Sequence, residues 1–293
     1  MNDLWIIITG ALVACACSLV GCFLVLRKMS MIGDAISHSV LPGIAIAFLI
    51  SSSRESVPML IGAAIVGLIT VFLIQLFQQS GVQSDASIGV VYTALFAVGV
   101  VLVSLFARDI DFDLDCVLYG EIAYVPWNTW DWNGMNMGPK PVWMIGGVLL
   151  LSVVVIGFFF KQFKVCSFDP ALAAAIGIPV ALFHYLLMGL VSMTTVASFE
   201  SVGAILVVGM LIVPPSTAYL LTEKLSRMIA YSMVIGILSS VLGYGAAYLL
   251  DASIAGCMIS VAGFLFLLAF LFTPHNGIVW KKWRNTAMAK EQS

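Results

Sequence analysis

The chain is a succession of apolar runs, each about twenty residues long, the length an α-helix needs to cross a hydrocarbon core about 30 Å thick. Candidate spans are 5–26, 31–50, 57–79, 87–107, 142–160, 179–197, 202–221, 228–250 and 254–273. The count is eight to nine, because 31–50 carries a polar motif and 202–221 carries Pro214-Pro215. Hydrophobic residues make up 61% of the 293 and charged residues only 10%, which excludes a soluble domain. The fold class is therefore all-α: a polytopic integral membrane helical bundle. Residues 1–275 form one transmembrane domain, and 276–293 form a C-terminal tail. The first run is too long for a signal peptide, and it ends in Arg27-Lys28 rather than at a small-residue cleavage site.

Lysine and arginine in short loops set the orientation. Arg27-Lys28, Lys161 with Lys164, Lys224 with Arg227, and Lys281-Lys282-Arg284 fall on one side when nine spans alternate. That side is cytoplasmic, so the N-terminus and the loop about 108–141 are outside. Arg54 and Arg108 dissent, each flanked by an acid. The outer loop carries Asp109, Asp111, Asp113, Asp115, Glu121 and Asp131, with Trp127, Trp130 and Trp132 suited to the membrane interface. The net charge of −2 and the lack of a basic stripe give no footprint for nucleic acid. Cys15, Cys17, Cys22, Cys116, Cys166 and Cys257 form no paired cluster of the kind that holds a metal, and three of them read as small packing residues of the first span. There is no GxxxxGK[ST] loop to cradle a nucleotide phosphate, so the chain is not expected to be an enzyme that hydrolyses ATP.

The run Gly33-Asp34-Ala35-Ile36-Ser37-His38-Ser39-Val40-Leu41-Pro42-Gly43 lies inside a span. Residues four apart share a helix face, so Asp34 and His38 are neighbours. Ionisable groups in hydrocarbon are costly and mark a pathway or binding site, and a carboxylate with an imidazole suits a first-row divalent metal. The competing reading is a helix-start acid beside a histidine that packs against another helix. Pro42-Gly43 should loosen the helix there.

Phe168-Asp169-Pro170-Ala171-Leu172-Ala173-Ala174-Ala175-Ile176-Gly177-Ile178-Pro179 reads as a short helix in a cytoplasmic loop. Asp169 is the N-cap, Pro170 the first helical residue, and Gly177 and Pro179 close it. Such a helix suits docking of a partner, or simply lies at the interface. Pro214-Pro215 should break span 202–221, either to line a cavity or to kink it for packing. His184, His275 and Glu200 read as bundle-bonded or solvated groups rather than ligands.

Taken together, Leu26-Arg27-Lys28-Met29-Ser30, Gly33-Asp34 with Ser37-His38, Leu41-Pro42-Gly43, Leu118-Tyr119-Gly120-Glu121-Ile122, Phe168-Asp169-Pro170 with Ala173 and Gly177, Val202-Gly203-Ala204-Ile205-Leu206 and Leu211 through Ala218 resemble the permease subunits of bacterial ABC transporters for manganese, zinc and iron. The resemblance runs over nearly the whole chain. It implies a multi-pass protein of the bacterial plasma membrane that pairs as a homo- or heterodimer with a second permease subunit. It implies a cytoplasmic ATP-binding subunit that uses the ATP and docks on a coupling helix, here about 169–178 with Asp169, Pro170, Ala173 and Gly177. It also implies an extracellular metal-binding lipoprotein that delivers the ion. Asp34 and His38 match the family's DxxSH motif and become the candidates for contacting Mn²⁺, Zn²⁺ or Fe²⁺ in transit, the chain itself keeping no cofactor. Manganese is favoured over zinc and iron, since oxygen and nitrogen ligands without thiolates suit it. Residues 127–137 look inserted relative to the family. The alternatives are a secondary metal-ion transporter and an ABC permease for a metal chelate such as a siderophore.

Overall fold

A computed structural model describes residues 2–51, 56–106, 122–132 and 135–273. Arg54, Arg108, the acidic run Asp109 to Asp115, Cys116, the 118–121 motif, His275, the basic tail and the side chain of Glu200 lie outside the described residues.

Among the described residues nine helical stretches are long and apolar enough to cross a membrane. They begin with α1 (Asn2–Leu26), the pair α2 (Met31–Ser39) and α3 (Leu41–Ser51), α4 (Ser56–Gln79) and α5 (Ser84–Phe106). A 3₁₀ turn (Ile122–Trp127) and a hairpin of β1 (Thr129–Trp132) and β2 (Met135–Pro139) lead into α6 (Lys140–Phe158). The short α7 (Phe160–Phe168) and α8 (Pro170–Ala175) precede α9 (Val180–Leu221), α10 (Leu225–Leu250) and α11 (Ile254–Phe272). The membrane part is all-helical, because backbone groups in hydrocarbon need partners within their own segment. Hydroxyls follow the same rule: Thr9, Ser37, Thr70, Thr217 and Ser240 each reach the carbonyl four residues back. Among the described residues the hairpin is the one strand pair, and it sits outside the spans.

α1 and α9 form the centre. α1 packs on α9, α10 and α6, and α9 also meets α2, α4 and α11. At about 1.5 Å per residue the 42 residues of α9 would reach about 63 Å, twice what a bilayer core needs. It turns at Gly203, whose φ of 80° and ψ of 165° are non-helical, and so contributes two spans, Val180–Phe199 and Ser201–Leu221. The expected break at Pro214-Pro215 does not occur; the helix runs on through both prolines. Pro215 lacks the N–H that would bond the carbonyl of Leu211. That carbonyl faces Gly21 of α1 so closely that a Cβ on Gly21 would come within 2.2 Å of it. Thr217 Oγ1 donates to the Val213 carbonyl at 2.8 Å. The turn comes instead at Gly203, where glycine adopts a positive φ without strain.

The two ends of the bundle are distinguished by contacts. Arg27, in the α1–α2 turn, donates from Nε to Ser167 Oγ of α7 at 3.0 Å, and its Nη1 lies 3.4 Å from His184 Nδ1 at the start of α9. This end also carries Lys28, Lys161, Lys164 and segment 169–178. At the opposite end, Gly138 of the hairpin lies against the ring of Trp5, near the start of α1.

Candidate permeation pair and docking segment

The polar motif sits on α2, and the step between α2 and α3 is set by Pro42. Pro42 has no N–H for the carbonyl of His38, and the helix is interrupted at Val40. Six of the nine residues of α2, namely Ile32, Gly33, Ala35, Ile36, Ser37 and Ser39, are buried. A Cβ on Gly33 would come within 2.4 Å of Leu211 Cδ2, so α2 lies tight on α9. Thr70 of α4 fixes the other side: its hydroxyl lies 2.8 Å from Ser39 Oγ and from the Val66 carbonyl.

Asp34 and His38 point away from this packing, with side chains 41% and 35% exposed. The spacing did bring them together: His38 Nε2 is 3.6 Å from Asp34 Oδ1. This exceeds hydrogen-bond length, so the two groups flank a space rather than close on each other. With bonds of about 2.1 Å and ligand–metal–ligand angles of about 90–110°, one ion would hold two donors about 3.0–3.4 Å apart. A contraction of a few tenths of an ångström reaches that range. The pair lies one to two turns into α2 from the Arg27 end.

The imidazole is oriented by α5. Tyr92 and Phe96 stand 6.0 and 6.3 Å from its ring, centre to centre. Gly99, one turn on, lies against Pro42, where a Cβ would meet the proline Cδ at 2.8 Å. Tyr92, Phe96 and Gly99 are spaced i, i+4, i+7, so one stripe of α5 covers the motif. Sequence reasoning missed these residues; the stripe spacing was the available signal. Among the described residues no third His, Cys, Asp or Glu joins Asp34 and His38. His184 meets Arg27 instead.

Segment 169–178 has the expected form. The helix runs Pro170–Ala175, Asp169 Oδ1 accepts the Leu172 N–H at 2.9 Å, and Pro170 occupies the first turn. Gly177 closes it at φ 83°, a left-handed conformation that glycine adopts without strain. Ala173 is fully buried and anchors the helix from below. The exposed side chains are apolar and different: Phe168, at the end of α7, and Leu172 and Ile176 are 55%, 52% and 60% exposed. Leu172 and Ile176 were not singled out from the sequence, because a six-residue helix is too short to declare its faces.

Arg27 is half-buried, and burial pulls its guanidinium below the usual arginine range while it remains charged. The thiol of Cys166 beside it is pushed up by burial, and the nearby Arg27 charge opposes that shift.

The model of the ABC 3 transport family matches residues 3–273. The manganese transport system membrane protein MntD of Bacillus subtilis (strain 168) is 53% identical over 291 residues, covering 99% of each chain. The zinc transport system membrane protein TroD of Treponema pallidum (strain Nichols) is 40% identical over 94% of this chain and 75% of its own. Among solved structures, PsaBC from Streptococcus pneumoniae in complex with Fab superposes with a TM-score of 0.78 at 34% identity, covering 93% of this chain and 92% of that one. With nine candidate spans among the described residues, the chain is a multi-pass transporter component, and it belongs to the ABC 3 transport family.

Proposed function

We propose that the chain is the membrane permease of an ABC importer for a divalent transition metal, manganese first and zinc second, and that the ion passes between Asp34 and His38. The observation that carries this is the open pair itself. An oxygen and a nitrogen donor stand 3.6 Å apart, both partly exposed, on the face of α2 that α5 covers only in part.

A carboxylate facing lipid costs about 2.5–3.5 kcal/mol near a span's centre. The exposed part of this face therefore belongs against a water-filled path or a second permease subunit. Two ligands from one chain are too few for a resident divalent ion. With a second subunit across the path, pairs from each side and water complete a transient shell. The ligand chemistry fits manganese and also zinc, as do the names of the relatives MntD and TroD.

Segment 169–178 is the dock for a cytoplasmic ATP-binding subunit, with Phe168, Leu172 and Ile176 as its contact face and Asp169, Pro170, Ala173 and Gly177 setting its shape. The Arg27 end is then cytoplasmic and the hairpin end outside, as positive residues in the short loops favour. An extracellular metal-binding lipoprotein meets the outer end.

Uptake of manganese by cells that depend on this importer tests the pathway. Asp34→Ala and His38→Ala should each abolish accumulation while membrane levels of the protein stay at wild type. Normal accumulation by both variants would sink the assignment. Zinc competes with manganese at the same pair; uptake unaffected by excess zinc would restrict the site to manganese.

A further inference from the structure

We propose that Arg27 is a positioning residue that couples the ATPase-docking segment to the metal-bearing helix, an inference that rests on the docking reading of 169–178. Arg27 stands four residues before α2 begins, so any displacement of its guanidinium is passed along a short turn to Asp34 and His38. That turn is tightly wound: Lys28 has a left-handed φ of 57°, and Met29 N–H donates to the Leu24 carbonyl at 2.9 Å. On the other side, Ser167 stands two residues before the N-cap Asp169. Its hydroxyl donates to the Phe163 carbonyl at 2.7 Å while accepting from Arg27 Nε at 3.0 Å. Nη1 reaches His184, at the start of α9. From the α1–α2 turn, one guanidinium thus bridges α7 and the start of α9. Beneath it, Phe23, Phe163 and Phe183 pack ring on ring, 5.8 and 5.4 Å apart, so α1, α7 and α9 shift together.

Stability does not explain the choice of arginine. Among the described residues no carboxylate pairs with Arg27. Its Nη2 and the Nε2 of His184 are buried without hydrogen-bond partners. A partly buried, unpaired cation is costly, and such groups persist where function needs them. Two orphaned polar atoms in one cluster also give it a reason to have a second arrangement, in which both find partners. A bistable contact between dock and pathway is what coupling requires.

The test uses the whole transporter in proteoliposomes, with its ATPase, its second permease subunit and its manganese-loaded binding protein. Manganese uptake and ATP hydrolysis are measured together. Arg27→Gln should leave basal hydrolysis within twofold of wild type, and should lower manganese moved per ATP at least tenfold. Ser167→Ala should lower it severalfold, and Ser167→Thr, which keeps the hydroxyl, should restore it. Wild-type uptake per ATP in both Arg27→Gln and Ser167→Ala overturns the proposal. If Arg27→Gln does not assemble, the Ser167 pair decides; a fall in uptake per ATP that threonine fails to rescue overturns it equally. Failure of the underlying reading looks different. A wild-type complex without metal-stimulated hydrolysis removes the transport assignment. An ATPase still bound after Leu172→Glu with Ile176→Glu removes the dock.

Discussion

Truncating the exposed face of the docking segment should release the ATPase, and the size of the effect follows from exposure. Leu172 is 52% exposed and Ile176 60%. Full burial of such a side chain is worth about 1.5–3 kcal/mol, so the uncovered halves of the two hold about 2–3 kcal/mol for a partner to gain. A factor of ten per 1.4 kcal/mol makes Leu172→Ala with Ile176→Ala about 30- to 140-fold weaker in binding. Alanine keeps a methyl of its own, so the lower end is expected. Neither residue supports the fold beneath it, because Ala173 makes the inward contact. The thermal midpoint of the purified chain should therefore stay within about 2 °C of wild type, the shift that about 1 kcal/mol gives in a chain of this size. The assay is equilibrium binding of the ATP-binding subunit to detergent-solubilised permease, with Ala174→Ser as an exposed control on the same helix. Affinity within threefold of wild type for the double variant, with the control also unchanged, would refute docking through this face. Ala173→Glu should behave differently, lowering the thermal midpoint along with binding, since it buries a charge without a partner.

Other consequences are equally direct. Gly21→Ala would press a Cβ to 2.2 Å from the Leu211 carbonyl, backbone against backbone; overpacking of that kind costs about 1–3 kcal/mol or more, read as a lower thermal midpoint. Gly146→Ala on α6 meets no atom within 4 Å and should be neutral or slightly stabilising in the same melt. Orientation is checked with an impermeant thiol reagent on intact cells, native cysteines replaced: a cysteine at Asn128 should label and one at Ser226 should not, while labelling of both would mean a miscounted span. The purified chain alone should show no ATP hydrolysis until the ATP-binding subunit is added; turnover that persists without it, contaminants excluded, would count against a pure permease role.

The spans were legible in the sequence because one physical quantity sets them. A segment must be about 20 apolar residues long to cross, and hydropathy measures that directly. Each expected boundary lies within three residues of the observed one, as with 87–107 against Ser84–Leu105. Where the sequence misled, a local rule met tertiary compensation. Proline is a helix breaker in isolation, yet Pro214-Pro215 sits in an unbroken helix that packs closely on α1, with the Leu211 carbonyl against Gly21. The hairpin 129–139 was passed over, although Asn133-Gly134 is a dipeptide favoured in two-residue hairpin turns. At the site, i,i+4 spacing found Asp34 and His38 since that relation is local. Their neighbours Tyr92, Phe96 and Gly99 lie on another helix, and only the packing of α5 on α2 brings them there.

The geometry of the pair also bears on how an importer can be both selective and fast. A cage of four fixed ligands would hold a divalent ion too tightly to release it, and conduction needs sites weak enough to leave. Here one chain offers two donor groups, 3.6 Å apart and partly exposed, on a nine-residue helix that stops at Val40. Short length and a proline-set step make α2 easier to tilt than a continuous span would be. Its anchors lie on three helices: Leu211 of α9 against Gly33, Thr70 of α4 beside Ser39, and Tyr92 and Phe96 of α5 beside His38. A tilt that separated the α2 helices of two subunits would remove ligands from the ion in one step, without breaking either helix. Affinity would then be set by the distance between subunits rather than by the chemistry of one chain. That distance is what ATP binding on a docked partner can change.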